Sequence, residues 1–419
     1  MTFNGSPVEV GAGSTLMLGE TAPVVPAQAV GDSRPDSVDR PIKNAVILGG
    51  GPGGLATAIE LAKQNVKVTI VEVRDEHYSR PHQLNVRQAT VDTLAMYGVE
   101  KEVRQSSGWD PTRALPGDPS RVSSDPESLI HSPSVGQVRI SDVEKALYDQ
   151  ANKLGIQYLS HSVGVLAPPP ADGPNKGLYG LTVRDADQND GHFTPTGKSV
   201  DFGHPDLVIA ADGANSPTRQ LLGIPFQEMS AAKPYLGGLV HKSIGAQYKQ
   251  MTMTENGEPV HVMATGHALY PQTWISAEVD SAHANMSESD RVAYFCNEAS
   301  QITGQDVKPE DIDFGKGQLT KVQNREAATA SAGDNVVLIG DAARTGSVWV
   351  SGGLNLALTT DVANVVKMVK DVNSGEVNRS QALQAYDQST LAATKCWHEA
   401  GARELGGLPA APVASARVQ

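Results

Sequence analysis

The chain has 419 residues, 39% of them hydrophobic, so it is long enough to bury a sizeable core in about two or three domain-sized units. Lys and Arg number 34 against 47 Asp and Glu, and this net charge of −13 excludes the basic surface that nucleic-acid binders and polybasic membrane proteins need. The two cysteines, Cys296 and Cys396, exclude a disulfide framework and a four-cysteine zinc site. These features favour a reducing, cytoplasmic setting.

The sequence predicts no membrane span and no secretory signal. The longest suggestive uncharged stretch, residues 345–360, is interrupted by three glycines, and the N-terminus lacks a basic patch followed by an apolar block. Residues 1–42 are rich in proline and small polar residues, with Phe3 as the only aromatic, and are predicted to form a flexible N-terminal extension. Residues 408–419 are predicted to form a flexible tail.

A complete strand-helix-strand pattern begins at Asn44. The apolar run 45–48 is typical of a strand buried on both faces, residues 55–64 show helical spacing of apolar residues, and residues 66–71 form the next strand. The sequence Gly-Gly-Gly-Pro-Gly-Gly joins the first strand to the helix and contains the motif G-x-G-x-x-G. This order of elements is typical of a dinucleotide-binding unit.

There is a physical reason for glycine at each of these three positions of the motif. Gly49 permits the tight turn, Gly51 lets the backbone approach a pyrophosphate, and Gly54 lets the helix pack closely on the strand. The N-terminus of the helix would present unpaired N–H groups to the phosphates. Glu72, 18 residues after the last glycine, would accept hydrogen bonds from a ribose diol. The motif alone leaves NAD, FAD and a merely glycine-rich turn as alternatives.

Two later segments favour FAD. Residues 206–211 form a predicted buried strand that ends in Asp212-Gly213, and residues 335–339 form another that ends in Gly340-Asp341. Together with the first motif, they resemble the single-component FAD-dependent monooxygenases of the para-hydroxybenzoate hydroxylase fold, the aromatic-hydroxylase group. The resemblance covers residues 44–386.

The resemblance implies a role for each matched residue. The first glycines and Glu72 would hold the ADP moiety of FAD, the Asp-Gly segment would lie between FAD and the approaching nicotinamide cofactor, and Asp341 would meet the ribityl chain. Arginines would lie near the cofactor, and one valine would touch adenine through its backbone; the alternative for each arginine is a solvated surface position. The implied cofactor-binding residues are Gly49, Gly51, Gly54, Glu72, Arg74, Arg87, Arg139, Val163, Asp212, Gly213, Gly340, Asp341, Gly353, Leu354 and Asn355.

The implied fold class is α/β. A Rossmann-type, glutathione-reductase-like FAD-binding domain would be formed by residues 43–224 and 324–407, and a smaller, mostly antiparallel β-sheet substrate domain by residues 225–323. Alternating runs at 236–243, 260–265 and 274–279 support the sheet. Residues 106–134 are predicted to be a long loop that either covers the site or is simply solvated.

The segment that begins at Gly340-Asp341 is the third of these motifs, and it departs from the family pattern. Arg344 stands where the family has a histidine, Ser347 and Val348 stand at two proline positions, and Ser351 replaces a glycine. The aspartate that follows, Asp361, comes one residue later than in the family. The resemblance implies that this altered segment lies where oxygen and substrate meet the flavin, so the departures bear on the reaction type more than on the cofactor.

The retained part of this motif is Gly353-Leu354-Asn355, which would donate backbone N–H groups to the flavin pyrimidine carbonyl. Trp349 is the only large side chain between residues 345 and 351. We predict that it packs against the substrate or the flavin, and the alternative is a core anchor under the Gly-Gly turn.

Three functions remain open. The first is an FAD monooxygenase that uses NADPH or NADH and O2 to hydroxylate or epoxidise a small to medium organic molecule through a flavin C4a-hydroperoxide, chemistry that the cofactor carries without a side-chain nucleophile. The second is a flavin reductase or dehydrogenase, or the oxygenase component of a two-component system. The third is a non-catalytic FAD-binding protein. No catalytic side chain and no metal site are predicted, and the sequence leaves the substrate and the oligomeric state open.

Overall fold

The structure is a computed structural model. It describes residues 2–3, 6–9, 15–16, 40–74, 83–107, 115–189, 192–229, 235–242, 247–253, 259–266, 272–279, 283, 286–313, 324–346 and 352–407.

Within these ranges most strands are short. In chain order they are β1 (Thr2–Phe3), β2 (Ser6–Glu9), β3 (Thr15–Leu16), β4 (Asn44–Leu48), β5 (Lys67–Val71), β6 (Gln83–Arg87), β7 (Ser134–Arg139), β8 (Gln157–Leu159), β9 (Ser162–Ala167), β10 (Gly180–Asn189), β11 (His192–Asp201), β12 (Leu207–Ala210), β13 (Phe226–Glu228), β14 (Tyr235–Val240), β15 (Gln247–Met253), β16 (Pro259–Gly266), β17 (Thr273–Glu278), β18 (Ile312–Asp313), β19 (Arg325–Ala327), β20 (Ser331–Ala332), β21 (Val336–Leu338) and β22 (Arg344–Thr345).

The helices alternate with these strands. They are α1 (Pro52–Lys63), α2 (Gln88–Tyr97), α3 (Glu100–Ser107), α4 (Pro126–His131), α5 (Ile140–Lys153), α6 (Pro217–Leu221), α7 (Glu288–Thr303), α8 (Gly352–Leu356), α9 (Val362–Ser374) and α10 (Arg379–Gly407). Short 3-10 turns occur at Pro119–Arg121, Pro309–Asp311 and Gly340–Ala342, and a π-helical turn at Ala357–Asp361.

A central parallel sheet has the strand order β21-β12-β4-β5-β8, with β20 antiparallel at its edge. Its apolar strands are buried because both faces are covered. On one face Ile47 and Ile209 pack in the same cluster as residues of α1, α5 and α9. On the other face Leu48 and Val208 pack against the antiparallel strands β9 and β10. This arrangement confirms the predicted α/β fold with a Rossmann-type unit.

A second sheet, in the order β15-β16-β17-β14-β18, is antiparallel at every pairing. One face, which includes Ile275 and Ala277, packs on Phe295 of α7. Successive side chains of a strand point to opposite faces, so Trp274 and Ser276 lie on the other face. All six residues of β17 are buried, so that face is also covered.

Two regions differ from the expectation from sequence. Residues 106–134 are not a continuous loop, because α4 begins after Asp125, whose side chain accepts hydrogen bonds from the first-turn N–H groups, and it buries Leu129 and Ile130. Arg40 and Ile42, assigned to the flexible extension, are held to the core: Arg40 pairs with Asp206 at 2.8 Å, and Ile42 is 2% exposed. The short strands β1 to β3 also lie in that extension, and its flexibility otherwise stays a prediction. The predicted tail, 408–419, lies outside the described residues.

Candidate functional site

The three sequence motifs meet at one edge of the central sheet. Gly49 follows β4, Asp212 follows β12 and Gly340 follows β21, and these strands are parallel neighbours. The N–H of Ala211 donates to the carbonyl of Leu48 at 2.8 Å, which continues the pairing beyond the strand ends. Carboxyl ends of parallel strands are where open α/β sheets bind ligands.

The glycine-rich turn is shaped by close backbone contacts. Gly49 has φ +118°, and a Cβ there would lie 2.3 Å from the carbonyl oxygen of Ala211. A Cβ on Gly54 would lie 2.1 Å from the carbonyl oxygen of Gly49. Around Gly51, in contrast, the nearest described atom to such a Cβ is Glu144 Oε1 at 3.8 Å. Packing of the protein itself therefore requires glycine at 49 and 54, whereas position 51 has open space in front of it.

The N-terminus of α1 is suited to an anion. Gly51 is its N-cap, no side chain caps the helix there, and its first turn has no acidic residue. The first N–H groups of a helix have no partner within the helix, and they carry the positive end of its dipole. Open space at Gly51 and uncapped N–H groups together fit a pyrophosphate group.

Glu72 does not fit its predicted role in its present arrangement. It is 3% exposed and accepts four hydrogen bonds from the protein: from the N–H of Gly50 (2.7 Å) and, from Arg74, the N–H (2.8 Å), Nε (2.9 Å) and Nη2 (2.9 Å). Burial alone would raise the pKa of Glu72, but the charge and hydrogen bonds of Arg74 outweigh it and lower the pKa to about 2. A carboxylate has about four acceptor positions, so Arg74 must release one before Glu72 can bind a ribose diol.

The other predicted arginines contact the protein. Arg87, the residue before α2, donates from Nη1 to the carbonyl of Ser132 at 2.7 Å. Arg139, the residue before α5, donates from Nη2 to Oε1 of Gln272 at 2.9 Å. Val163 lies on β9 and is 7% exposed.

The Asp-Gly segment is only partly held by the protein. Oδ2 of Asp212 accepts a hydrogen bond from the N–H of Thr218 at 3.0 Å. Burial raises the pKa of Asp212 against the opposing hydrogen bonds of Ser216 and Thr218. Gly213 has φ +84°, and a Cβ there would have no described atom within 4 Å. This backbone is therefore open on one side.

Sequence reasoning missed Arg219, although it ends the Asp-Gly segment. Its Nη1 donates both to the carbonyl of Ala214 (3.2 Å) and to the carbonyl of Ala342 (3.1 Å), so one guanidinium joins the second and third motifs. Burial, together with the charge of Arg325, lowers the pKa of Arg219 to about 10. The signal available in the sequence was an arginine at the end of a motif that already carried an acid.

The third motif turns at Gly340, which has φ +55° and donates its N–H to Oδ2 of Asp361 at 2.8 Å. Nη2 of Arg344 lies 2.6 Å from Oδ1 of the same Asp361, and these side chains are 1% and 0% exposed. Asp341 itself is exposed. Asp361, which comes one residue later than in the family, is therefore the partner of Arg344, which stands where the family has a histidine.

The glycines around the third motif pack on Trp397. A Cβ at Gly352, Gly346 or Gly353 would lie 2.4, 3.1 or 3.4 Å from the indole of Trp397 on α10. Trp397 is therefore an anchor for these glycines. Trp349, predicted to pack against the substrate or the flavin, lies outside the described residues together with Ser347, Val348 and Ser351. Leu354 packs on the core and Asn355 is 2% exposed.

The second sheet approaches this edge at two points. We call the side opposite α7 its outer face; it carries Tyr235, His261, Met263, Trp274, Ser276 and Glu278. At one end Gln272, just before β17, contacts Arg139. At the other end Tyr235, paired with Glu278, lies near Asp341, whose charge adds to burial in raising the pKa of Tyr235.

The outer face carries a polar pair that sequence reasoning also missed. Nδ1 of His261 lies 2.7 Å from Oε2 of Glu278, which also accepts the N–H of His261 at 3.0 Å. Nε1 of Trp274 donates to Oγ of Ser276 at 3.1 Å. The outer face thus combines the buried apolar side chains of Met263 and Trp274 with polar side chains that are hydrogen-bonded to one another.

Comparison with known proteins gives the family. The family described as "FAD binding domain" matches residues 43–398, so the chain belongs to it. Among solved structures, p-nitrophenol 4-monooxygenase PnpA from Pseudomonas putida DLL-E4 is 16% identical, with a TM-score of 0.65 over 87% of this chain and 88% of that one. A 2-methyl-3-hydroxypyridine-5-carboxylic acid oxygenase is 17% identical, with a TM-score of 0.59 over 87% and 91%. The fold is thus that of single-component FAD monooxygenases, as the sequence predicts.

A human curated protein, the F-actin monooxygenase MICAL2, is 27% identical over 169 residues. This match covers 40% of the chain and 7% of the human protein.

None of the helices in the described ranges is long and apolar enough to cross a membrane.

Proposed function

We propose that this protein is an FAD-dependent monooxygenase, which uses NADPH or NADH as reductant and O2 to hydroxylate or epoxidise a small to medium organic substrate. One observation carries the proposal: the second sheet meets the elements that carry the motifs at both of its ends, where Gln272 contacts Arg139 and Tyr235 lies near Asp341. A protein that only stored or carried FAD would not need this second layer. The names of the similar proteins support the same reaction class.

The residues that would hold FAD follow from the fit of the motifs. The open turn at Gly51 and the uncapped N-terminus of α1 would receive the pyrophosphate, and Asp341 would face the ribityl chain. The backbone of Gly353 and its neighbours at the start of α8 would donate N–H groups to the flavin carbonyl. When bound, FAD supplies the redox chemistry and the activation of O2.

The chain itself would contribute orientation and exclusion of water. Met263 (6% exposed) and Trp274 (6% exposed) give the outer face an apolar surface that keeps water from the reacting atoms. His261 and Glu278 would orient a polar group of the substrate, because the carboxylate fixes the imidazole ring through Nδ1. No side-chain nucleophile is required.

The test uses the FAD-loaded protein with NADPH, with NADH, and with a set of phenols and hydroxypyridines under isotope-labelled O2. We expect consumption of the reductant and an organic product with one labelled oxygen atom. A Gly51→Val variant, whose side chain would fill the open space at the turn, serves as a control and should form no product. Reductant oxidation that yields only H2O2 with every compound tested would contradict the proposal.

A further inference from the structure

One carboxylate joins two parts of the third motif. Asp361 accepts the N–H of Gly340 through Oδ2 (2.8 Å) and contacts Nη2 of Arg344 through Oδ1 (2.6 Å). Gly340 starts the turn that presents Asp341, and Arg344 lies on β22 just after that turn. The carboxylate therefore holds both ends of one short segment.

A π-helical turn places this carboxylate. The turn spans Ala357–Asp361, between α8 and α9, and contains one more residue per turn than an α-helix would. It is held from outside the helix: the hydroxyl of Tyr97 donates to the carbonyl of Leu358, and Oγ1 of Thr360 donates to the carbonyl of Ser124 at 2.9 Å. An unbroken α-helix would rotate Asp361 by about 100° away from the Gly340 turn.

The ion pair between Arg344 and Asp361 is not explained by stability alone. Both side chains are almost fully buried, and replacing a buried ion pair by apolar residues of similar volume is often neutral or stabilising. Such a pair is best accounted for when it fixes a geometry that an apolar pair would leave loose. The geometry fixed here is that of the Gly340 turn, which has positive φ and would be strained for any other residue.

We infer that Arg344 is a positioning residue that acts through Asp361: it holds the carboxylate against the N–H of Gly340 and so fixes the Gly340-Asp341 turn for FAD. The inference rests on the proposed function, since it assumes that FAD binds at this turn. Arg344 and Asp361 do not themselves touch the cofactor. Their contribution is the orientation of the turn that does.

The test is a double-mutant cycle on the full chain, with the dissociation constant of FAD measured by fluorescence and the unfolding midpoint of the FAD-free protein measured in parallel. The variants are Arg344→Met, Asp361→Ala and the two together. We expect each single change to raise the FAD dissociation constant by about tenfold or more, and the double variant to be no weaker than Asp361→Ala alone. Arg344→Lys should recover part of the loss.

Arg379→Met is the matched control. Arg379 is another buried arginine (2% exposed), but it donates to the carbonyls of Asp206, Asp334 and Arg40, at the amino edge of the central sheet. The Arg379→Met variant should have a lower unfolding midpoint and an FAD dissociation constant within about twofold of that of the unsubstituted protein. A twofold change is smaller than the loss of one hydrogen bond would cause.

Three results would overturn the inference. The first is that Arg344→Met loses stability but keeps its FAD affinity, as expected for Arg379→Met. The second is an additive loss in the double variant, which would mean that Arg344 does not act through Asp361. If Arg344→Met does not fold, Tyr97→Phe is used instead, because it removes only the hydrogen bond to the carbonyl of Leu358 in the π-helical turn. The third result is unchanged FAD affinity in Tyr97→Phe. Failure of the unsubstituted protein to bind FAD would instead refute the proposed function.

Discussion

Arg219 lies with its Nη1 atom 3.1 Å from the carbonyl oxygen of Ala342, and the same atom is 3.2 Å from the carbonyl oxygen of Ala214. Two segments more than a hundred residues apart in sequence are thereby held by one buried guanidinium. The stack of this guanidinium on Phe226, 3.5 Å from the ring centroid, fixes its plane.

Arg219→Lys should weaken the link between the two motifs. Lysine keeps the charge but lacks the planar guanidinium, whose stack on Phe226 places Nη1 between the two carbonyls. We expect a loss of about 1 to 3 kcal/mol in the free energy of unfolding and a weaker FAD complex, measured by urea unfolding and FAD titration. Arg325→Lys is the control, because Arg325 also lies over Phe226 (4.6 Å) but donates to Oγ1 of Thr345. Equal effects of both changes would contradict this role for Arg219.

Gly51→Ala and Gly54→Ala should have opposite signatures. A Cβ at 54 would lie 2.1 Å from a backbone oxygen, whereas a Cβ at 51 would have no described atom nearer than 3.8 Å. Gly54→Ala should therefore lower the stability of the FAD-free protein. Gly51→Ala should leave that stability nearly unchanged and weaken FAD binding, because the methyl group would occupy space next to the pyrophosphate. Thermal unfolding without FAD and FAD titration separate the two, and unchanged FAD affinity in Gly51→Ala would place the pyrophosphate elsewhere.

The Glu72–Arg74 pair should make stability depend on acid pH. The folded-state pKa of Glu72, about 2, lies below its ordinary value of 4.5, so the unfolded chain takes up the proton first as the pH falls. The stabilisation is complete above pH 4.5 and is lost between pH 4.5 and about 2. The difference in unfolding free energy between the unsubstituted protein and Glu72→Gln should shrink by up to about 3 kcal/mol over that window. Glu399→Gln is the control, because the exposed pair of Glu399 with Lys395, at 3.9 Å, should contribute little to stability.

Trp397→Ala should destabilise the protein by about 3 to 5 kcal/mol, because it removes the indole on which Gly346, Gly352 and Gly353 pack. Trp397→Phe should recover part of that stability but leave a gap at Gly352, where the indole Nε1 comes nearest. Urea unfolding of the FAD-free protein measures both. A loss in Trp397→Ala of the size expected for a surface residue would show that the glycines do not depend on this side chain.

The sequence predicted what depends on local pattern. The strand at residues 45–48, the turn glycines and the strands that end at Glu72, Asp212 and Gly340 are encoded by short apolar runs and by residues with special backbone freedom. Because these strands are parallel, their carboxyl ends could be expected at one edge. That edge is where the structure has them.

What the sequence did not reveal depends on side-chain geometry and on distant partners. Glu72 could be recognised as an acid at a strand end, but the short span to Arg74 gave no sign that the arginine would fill its acceptor positions. The pairing of Arg344 with Asp361 required knowing that a π-helical turn absorbs the extra residue. Trp397, on the last helix, is remote in sequence from the glycines it contacts, so periodicity could not connect them.

The reaction of the reduced, FAD-loaded protein with O2, followed by stopped-flow absorbance, tests the central claim most directly. A monooxygenase must hold activated oxygen at the flavin long enough to transfer it, and the buried outer face formed by Trp274, Met263 and their neighbours would protect it from water. We predict a transient absorbance distinct from both reduced and oxidised FAD, which decays faster when an oxidisable substrate is present. A single-step return to oxidised FAD with stoichiometric H2O2, whether or not such compounds are present, would contradict the account.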